Sequence, residues 1–267
     1  LHLSIRRQRQ MCIRDSIITG YETLRRNFFD RMISALDPNH KTRINKLEKL
    51  SRERMKLIEK NLGDESWLSI LEKEISQLSI AIIVERQNFT SKLDFFTANP
   101  KNSFLNSVRI SWSGIIEEWL QNKPAIDVEE KMAIHLKNLR LERSFSSFGP
   151  SSSVLKIWYG SSHIPSEFCS TGQQKSILVS IVLAYSKLLT EKKELPPILL
   201  LDEASAHLDN DLFNALFNES LQIQNKCWGV RDEAEVSEEA SKNGFIKEEL
   251  IKMPTNNFSV IYRKIFL

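Results

Sequence analysis

The sequence has few glycines, and their placement excludes one common kind of phosphate-binding loop. They stand at positions 20, 63, 114, 149, 160, 172, 229 and 244, and no two are five residues apart. The pattern GxxxxGK[ST], in which backbone N–H groups and a lysine hold phosphate groups, is therefore absent from this sequence. Any phosphate site in this chain must use other residues.

Disulfide pairs and long apolar runs are also missing. Cys12, Cys169 and Cys227 are widely spaced, odd in number and without a CxxC pattern. We expect reduced thiols in a cytoplasmic protein. No apolar run approaches the roughly 18 residues of a membrane span, so we expect no membrane contact. The net charge of +3 is too small to indicate a nucleic-acid partner by itself, and the 267 residues suffice for one or two domains.

The first sixteen residues lack an initiator methionine and resemble no targeting signal. The arginines of Leu1–Ser16 precede no apolar segment of the kind that a secretory signal needs. We interpret segment 1–16 as a broken or foreign end, with a basic arm as the alternative. The chain therefore looks like a fragment of a longer protein.

Helical periodicity dominates the next part of the chain, which we predict to be a helical arm over residues 17–100. Aromatic and aliphatic residues recur every three or four positions from Tyr21 to Leu36, and Asp37-Pro38 is typical of a helix start. Two longer apolar series follow on either side of Gly63, which favours an antiparallel helical hairpin. We predict strands at Leu105–Trp112 and Val154–Gly160, and a helix at Asp127–Arg143.

A short aliphatic run ends in two adjacent acids. Ile198 to Leu201 follow two prolines and lead directly into Asp202 and Glu203. Such a run is typical of a buried strand in a parallel sheet, whose carboxyl end is where ligands bind. This is the layout of a Walker B strand, in which the first acid serves Mg²⁺ and the second the attacking water. The alternative is an ordinary strand that ends in solvated acids.

A turn of small and polar residues opens a long apolar helix before that strand. It consists of Ser170, Thr171, Gly172, Gln173 and Gln174. A helix start of this kind presents free N–H groups to an anion, and glycine allows a phosphate to approach closely. The alternative is that Ser170 is a plain N-cap, and both interpretations can hold together.

These motifs together resemble the RecF family of bacterial recombinational-repair ATPases. The segments that carry the resemblance are Phe168–Lys175, Pro196–Ala204, Ala206–Asp209 and, more loosely, Arg25–Met32. The resemblance covers roughly residues 20–228. It implies an α/β fold, namely a partial ABC/SMC-like P-loop ATPase head with a helical, coiled-coil-like arm. The second half of that head would span residues 101–230.

The resemblance also implies partners, cofactors and roles for single residues. ATP would lie between two copies of the chain, with Asp202 serving Mg²⁺ and Glu203 the hydrolytic water. Residues Ser170 to Gln174 would face the γ-phosphate of the partner copy's ATP, and Asp209 would lie at the dimer interface. The nucleotide-bound homodimer would engage DNA at single-strand/duplex junctions, with RecO and RecR proteins as partners in loading a recombinase.

Three departures from the family pattern leave alternatives open. The phosphate-binding loop would precede Leu1, Gly149-Pro150-Ser151-Ser152 replaces a Gly-Pro-His-basic run, and the tail 231–267 matches no family strand. The family's ATPase activity is slow, and whether this chain is an enzyme stays undecided. The alternatives are another SMC-like ATPase or a non-catalytic interaction module with a degenerate head.

Overall fold

The computed structural model describes residues 20–60, 64–98, 105–142 and 148–193, together with positions 18, 212, 215 and 219. It also describes the backbone of strands at 198–202, 226–231, 246–252 and 258–263. In chain order the helices are α1 (Glu22–Leu36), α2 (Pro38–Glu59), α3 (Glu65–Thr97), α4 (Ile115–Asn122), α5 (Ala125–Leu141) and α6 (Thr171–Lys193). The strands are β1 (Val108–Ser113), β2 (Val154–Tyr159), β3 (Ile164–Pro165), β4 (Ile198–Asp202), β5 (Lys226–Arg231), β6 (Ile246–Lys252) and β7 (Phe258–Arg263).

The chain divides into two compact units. One contains residues 1–92 and 110–157, and the other contains residues 93–109 and 158–267. The first unit holds most of the helices predicted for the arm, and α4 and α5 belong to it as well. The second unit holds the small-residue turn and the aliphatic strand.

The first unit, which we call the helical unit, contains two groups of packed apolar side chains. Helices α2, α3, α4 and α5 share a core that includes Leu50, Ile75, Ile83, Ile116 and Met132. Phe29 of α1 is fully buried, with ring centroids 6.3 Å from Phe89 and 6.3 Å from Trp112 in edge-to-face geometry. Burying one such side chain contributes about 1.5–3 kcal/mol. The helical periodicity read from the sequence therefore corresponds to the buried faces of these helices.

The start of α2 is the cap that the sequence predicts. The Asp37 carboxylate accepts a hydrogen bond from the Asn39 N–H at 3.0 Å, and Pro38 occupies the first helical position. Proline is suited to this position because the N–H it lacks would have no partner within the helix. The helix consequently begins at the residue that the Asp-Pro pair indicated.

Two sheets are present among the described strands. The first has the order β1-β2-β3, with β2 and β3 antiparallel. The second has the order β4-β5-β7-β6. Strand β4 pairs in parallel with β5, with Ile198 opposite Lys226 and Asp202 opposite Val230. The predicted aliphatic strand therefore has a parallel neighbour, and the other two pairs of this second sheet are antiparallel.

Candidate nucleotide-binding site

The small-residue turn is held by a reciprocal pair of hydrogen bonds at the start of α6. The Ser170 N–H donates to the Gln173 side-chain oxygen at 2.8 Å, and the Gln173 N–H donates to the Ser170 hydroxyl at 3.3 Å. This is a capping box, which satisfies N–H groups that have no partner within the helix. The sequence predicted only the N-cap at Ser170, and the contribution of the Gln173 side chain is a finding of the structure.

Gln174 anchors the same turn to the segment before it. Its side-chain N–H donates to the Cys169 carbonyl at 3.1 Å and to the Ser166 carbonyl at 3.4 Å. The backbone N–H of Gln174 donates to the Ser170 carbonyl at 2.9 Å. Both glutamine carboxamides of the predicted phosphate-facing set are therefore engaged in shaping the turn.

The remaining residues of the turn are open to a ligand. Ser170, Thr171 and Gly172 are exposed, and a Cβ built on Gly172 would meet no atom within 4 Å. The Ser170 oxygen accepts from the backbone, so its own O–H remains able to donate. Because the turn opens a long helix, its N–H groups and the positive end of the helix dipole favour an anion here.

Cys169, next to the turn, is a structural residue. Its thiol is buried and points at the Pro165 carbonyl, with sulfur and oxygen 3.6 Å apart. Burial, together with the charge of Glu167, raises the pKa of the Cys169 thiol. A raised pKa lowers the thiolate fraction, so this cysteine is unsuited to nucleophilic chemistry.

The acid pair is only partly described. Asp202 is the last residue of β4, and its backbone lies at the carboxyl end of the strand as predicted. Its side chain, Glu203 and Asp209 lie outside the described residues. Among the side chains that are described, no three His, Cys, Asp or Glu residues cluster as a metal ion would need. The predicted roles of these three acids stay predictions.

A buried ion-pair network in the helical unit was not foreseen from the sequence. Arg86 donates to the two carboxylate oxygens of Asp30, from Nε at 2.9 Å and from Nη2 at 2.8 Å. Its Nη1 donates to the Pro150 carbonyl at 2.7 Å. The His40 ring nitrogen Nε2 lies 2.9 Å from the same carboxylate. These residues are far apart along the chain, so no local pattern could have joined them.

The same network contacts the turn Gly149-Pro150-Ser151-Ser152, where this sequence departs from the family pattern. Gly149 has φ of +123°, a backbone conformation that favours glycine, and its carbonyl accepts from the Ser152 hydroxyl at 2.7 Å. Arg86 secures the next residue of this turn through the Pro150 carbonyl. In this chain the Gly-Pro-Ser-Ser turn is therefore tied to the helical unit by an arginine.

The fold and the capped turn define the class of protein. A parallel strand ending in Asp202, preceded by a long helix that opens on a Ser-Thr-Gly-Gln turn, belongs to an SMC-like, ABC-type ATPase head. Two solved structures have this fold: the recombination mediator protein RecF with ATP and with ATPrS, in the RecFOR pathway. Their TM-scores are 0.61 and 0.64 at 20% sequence identity, and they cover 80% and 81% of this chain and 62% and 63% of theirs.

Curated relatives identify the family. The DNA replication and repair protein RecF of Agrobacterium fabrum is 33% identical over 208 residues, which is 76% of this chain and 55% of the relative. The proteins of the same name from Rhizobium etli and Mesorhizobium japonicum are 34% and 35% identical over the same shares. The chain belongs to the RecF family, as the sequence motifs indicated, and it spans about half the length of these relatives.

Residues 210–264 also match the model of another family, described as a protein of unknown function (DUF938). This range includes residues 231–264 of the tail 231–267, for which the sequence offered no RecF counterpart. The described part of the range contributes β5, β6 and β7 to the second sheet. None of the helices in the described part of the chain is long and apolar enough to cross a membrane.

Proposed function

We propose that this chain forms part of an ATP-dependent DNA-repair protein and contributes the signature turn and the acid pair of its nucleotide site. The observation that carries the proposal is the capped, exposed start of α6 at Ser170, Thr171 and Gly172. The names of the curated relatives support a role in DNA replication and repair, and the ATP-bound neighbours support ATP as the nucleotide.

The residues divide into ligand-facing and turn-forming sets. The Ser170 O–H and the N–H groups of Thr171 and Gly172 face the γ-phosphate of a nucleotide on a second copy of the chain. Gln173 and Gln174 keep the turn in the shape that presents those donors. This division modifies the prediction from sequence, in which all five residues faced the phosphate.

The acids provide the other half of the chemistry. Carboxylate oxygens suit Mg²⁺, and Asp202 at the end of β4 is the residue that would hold it. Glu203 accepts the proton of the attacking water, and Asp209 lies at the contact between the two copies. Mg²⁺ held at Asp202 would supply positive charge to neutralise the phosphates.

Membership of the RecF family supports a biological setting for this proposal. The nucleotide-bound homodimer engages DNA at single-strand gaps and helps to load a recombinase during recombinational repair and replication-fork maintenance. RecO- and RecR-type proteins are its partners, a proposal that the pathway named for the solved neighbours supports.

The test is ATP hydrolysis by this chain after the addition of a first half that contains the phosphate-binding loop. We expect Glu203→Gln to lower the turnover about 10²–10⁴-fold, because the general base is lost. Glu191→Gln, at an exposed position on α6, is the matched control and should leave turnover unchanged. A Glu203→Gln protein with the original rate would contradict the assignment.

The second candidate is an interaction module that binds a partner without nucleotide, which the missing GxxxxGK[ST] pattern favours. Isothermal titration of the chain alone with ATP and Mg²⁺ separates the two. Binding by the isolated chain contradicts the module.

A further inference from the structure

The basic residues of α2 fall into two sets that differ in their partners. The helix carries seven basic and three acidic residues. Three of the basic side chains are neutralised by acids: Arg43 by Asp37 at 2.9 Å, Lys46 by Glu74, and Arg54 by Glu72 at 3.0 Å. The other four are exposed and have no acid within ion-pair distance among the described residues.

The four unpaired cations, Lys41, Lys49, Arg52 and Lys56, lie on one face of the helix together with Asn45 and, directly after the last turn, Lys60. We call these six residues the outer basic stripe. Steps of three and four residues place all six on the same face. With a rise of about 1.5 Å per residue, the stripe is about 28 Å long. Two exposed acids, Glu48 and Glu59, lie along one edge of it.

The positive charge is concentrated on α2 and is not a general property of the helices that pack with it. Helix α3 contains five acidic and three basic residues, and α5 contains three of each. A stripe that only kept the helix soluble would need no such excess of one sign. Unpaired cations in a row fit a linear polyanion. Their side chains are exposed, and Arg52 donates from Nε to the Glu48 carbonyl at 3.0 Å, which leaves its two terminal nitrogens for a phosphate.

The stripe lacks the groups that recognise unstacked bases. Helix α2 contains no Phe, Tyr or Trp. Binding to single strands depends on aromatic side chains on which bases stack, whereas phosphate contacts need only cations. Duplex DNA presents about one charge per 1.7 Å of axis, so a stripe of this length faces many phosphates.

We propose that the outer basic stripe of α2 is a contact surface for the phosphate backbone of duplex DNA. The proposal rests on the proposed function, since it names the surface through which this part of a DNA-repair protein would hold the duplex side of a junction. The contact is independent of base sequence and adds affinity through counterion release.

Fluorescence anisotropy of the full chain with a labelled duplex, measured at several salt concentrations, tests the surface. Each phosphate contact contributes about 0.9 to the slope of log affinity against log salt concentration. The triple variant Lys49→Gln, Arg52→Gln, Lys56→Gln should therefore reduce the slope by about 2.7 and weaken binding at low salt. Circular dichroism melts should show that the variant is folded.

Two further variants make the result specific. Lys73→Gln with Lys92→Gln removes exposed charge from α3 and should leave the slope unchanged. Glu48→Gln with Glu59→Gln removes the acids beside the stripe and should tighten duplex binding. The surface assignment is overturned if the triple variant binds like the original chain, or if the α3 variant loses as much of the slope.

The failure of this inference is distinguishable from failure of the proposed function. Unchanged duplex binding by the triple variant overturns the stripe and leaves DNA binding and ATP binding intact. Retention on a poly-glutamate column probes for an acidic protein partner. If the triple variant loses this retention and keeps its duplex affinity, the stripe binds an acidic protein and the duplex assignment is overturned. No duplex binding by the original chain overturns both the stripe and DNA contact by this part of the protein.

Discussion

Asp30 is a buried carboxylate that depends on two basic neighbours. Burial raises its pKa, but hydrogen bonds from His40 and Arg86 and the charge of Arg86 lower it by more, so the pKa lies below its usual value of 3.8. Arg86 also stacks on the Trp112 ring, with its guanidinium carbon 4.8 Å from the ring centroid. One charged group thus connects helices α1, α2 and α3 to the turn at Pro150.

The stability of the chain should depend on pH through Asp30. Because the folded-state pKa is lowered, the ionised carboxylate contributes stability above its unfolded pKa, and this contribution is lost as pH falls below about 4. Urea unfolding should show the same difference between the original chain and Asp30→Asn at pH 7 and pH 5, and a smaller difference at pH 3. Glu130→Gln, at an exposed position of α5, should follow the original chain. A difference that stays constant with pH would contradict this account.

At the scale of single elements, side chains cap the starts of two helices. Asp37 caps α2 through one hydrogen bond, and Ser170 caps α6 through a reciprocal pair. In the second case the same serine that closes the helix end also belongs to the predicted phosphate site. Because Ser170 performs the structural task with its oxygen, its hydrogen stays available to a ligand.

The cap of α6 can be measured separately from nucleotide binding. Ser170→Ala removes the acceptor for the Gln173 N–H and should lower the free energy of unfolding by about 1 kcal/mol. Ser170→Asn keeps a side-chain oxygen at the cap and should retain most of that stability. Urea unfolding followed by circular dichroism measures both. Equal losses in the two variants would show that the cap does not stabilise the helix.

At the scale of the whole molecule, the chain contains two compact units and spans about half of its curated relatives. The proposed nucleotide site needs contributions from two copies, because the turn at Ser170 acts on the nucleotide of the other copy. Gly172 provides a selective way to block that turn. Its φ is not positive and an added Cβ meets nothing within 4 Å, so a larger side chain occupies open space and leaves the fold intact.

Mixing two inactive variants should restore hydrolysis when the site is shared between copies. In a version of the protein that includes the phosphate-binding loop, Gly172→Leu blocks the turn and Glu203→Gln removes the base. A dimer with one copy of each retains one complete site, formed by the intact turn of one copy and the intact base of the other. ATPase assays on the single variants and their mixture measure this. A mixture as inactive as its components would place the turn and the base of each site in the same copy.

The sequence by itself was sufficient to predict the secondary structure around the motifs and the family. Helical periodicity predicted α1, α2, α3 and α5, and the aliphatic run predicted β4 with its parallel neighbour. The turn of small and polar residues at Ser170 predicted the start of α6. These features are local: they depend on residues within one or two turns or along one strand, so the order of side chains determines them.

Only the tertiary structure decided which polar groups are already engaged. It pairs Asp30 with Arg86. It also shows which cations of α2 form ion pairs, with Asp37, Glu74 and Glu72, and which have no acid in reach among the described residues. It also identifies β5 as the parallel neighbour of β4, because the sequence predicted a parallel sheet without naming the partner strand. Whether a charge is neutralised depends on distances between elements, and packing sets those distances.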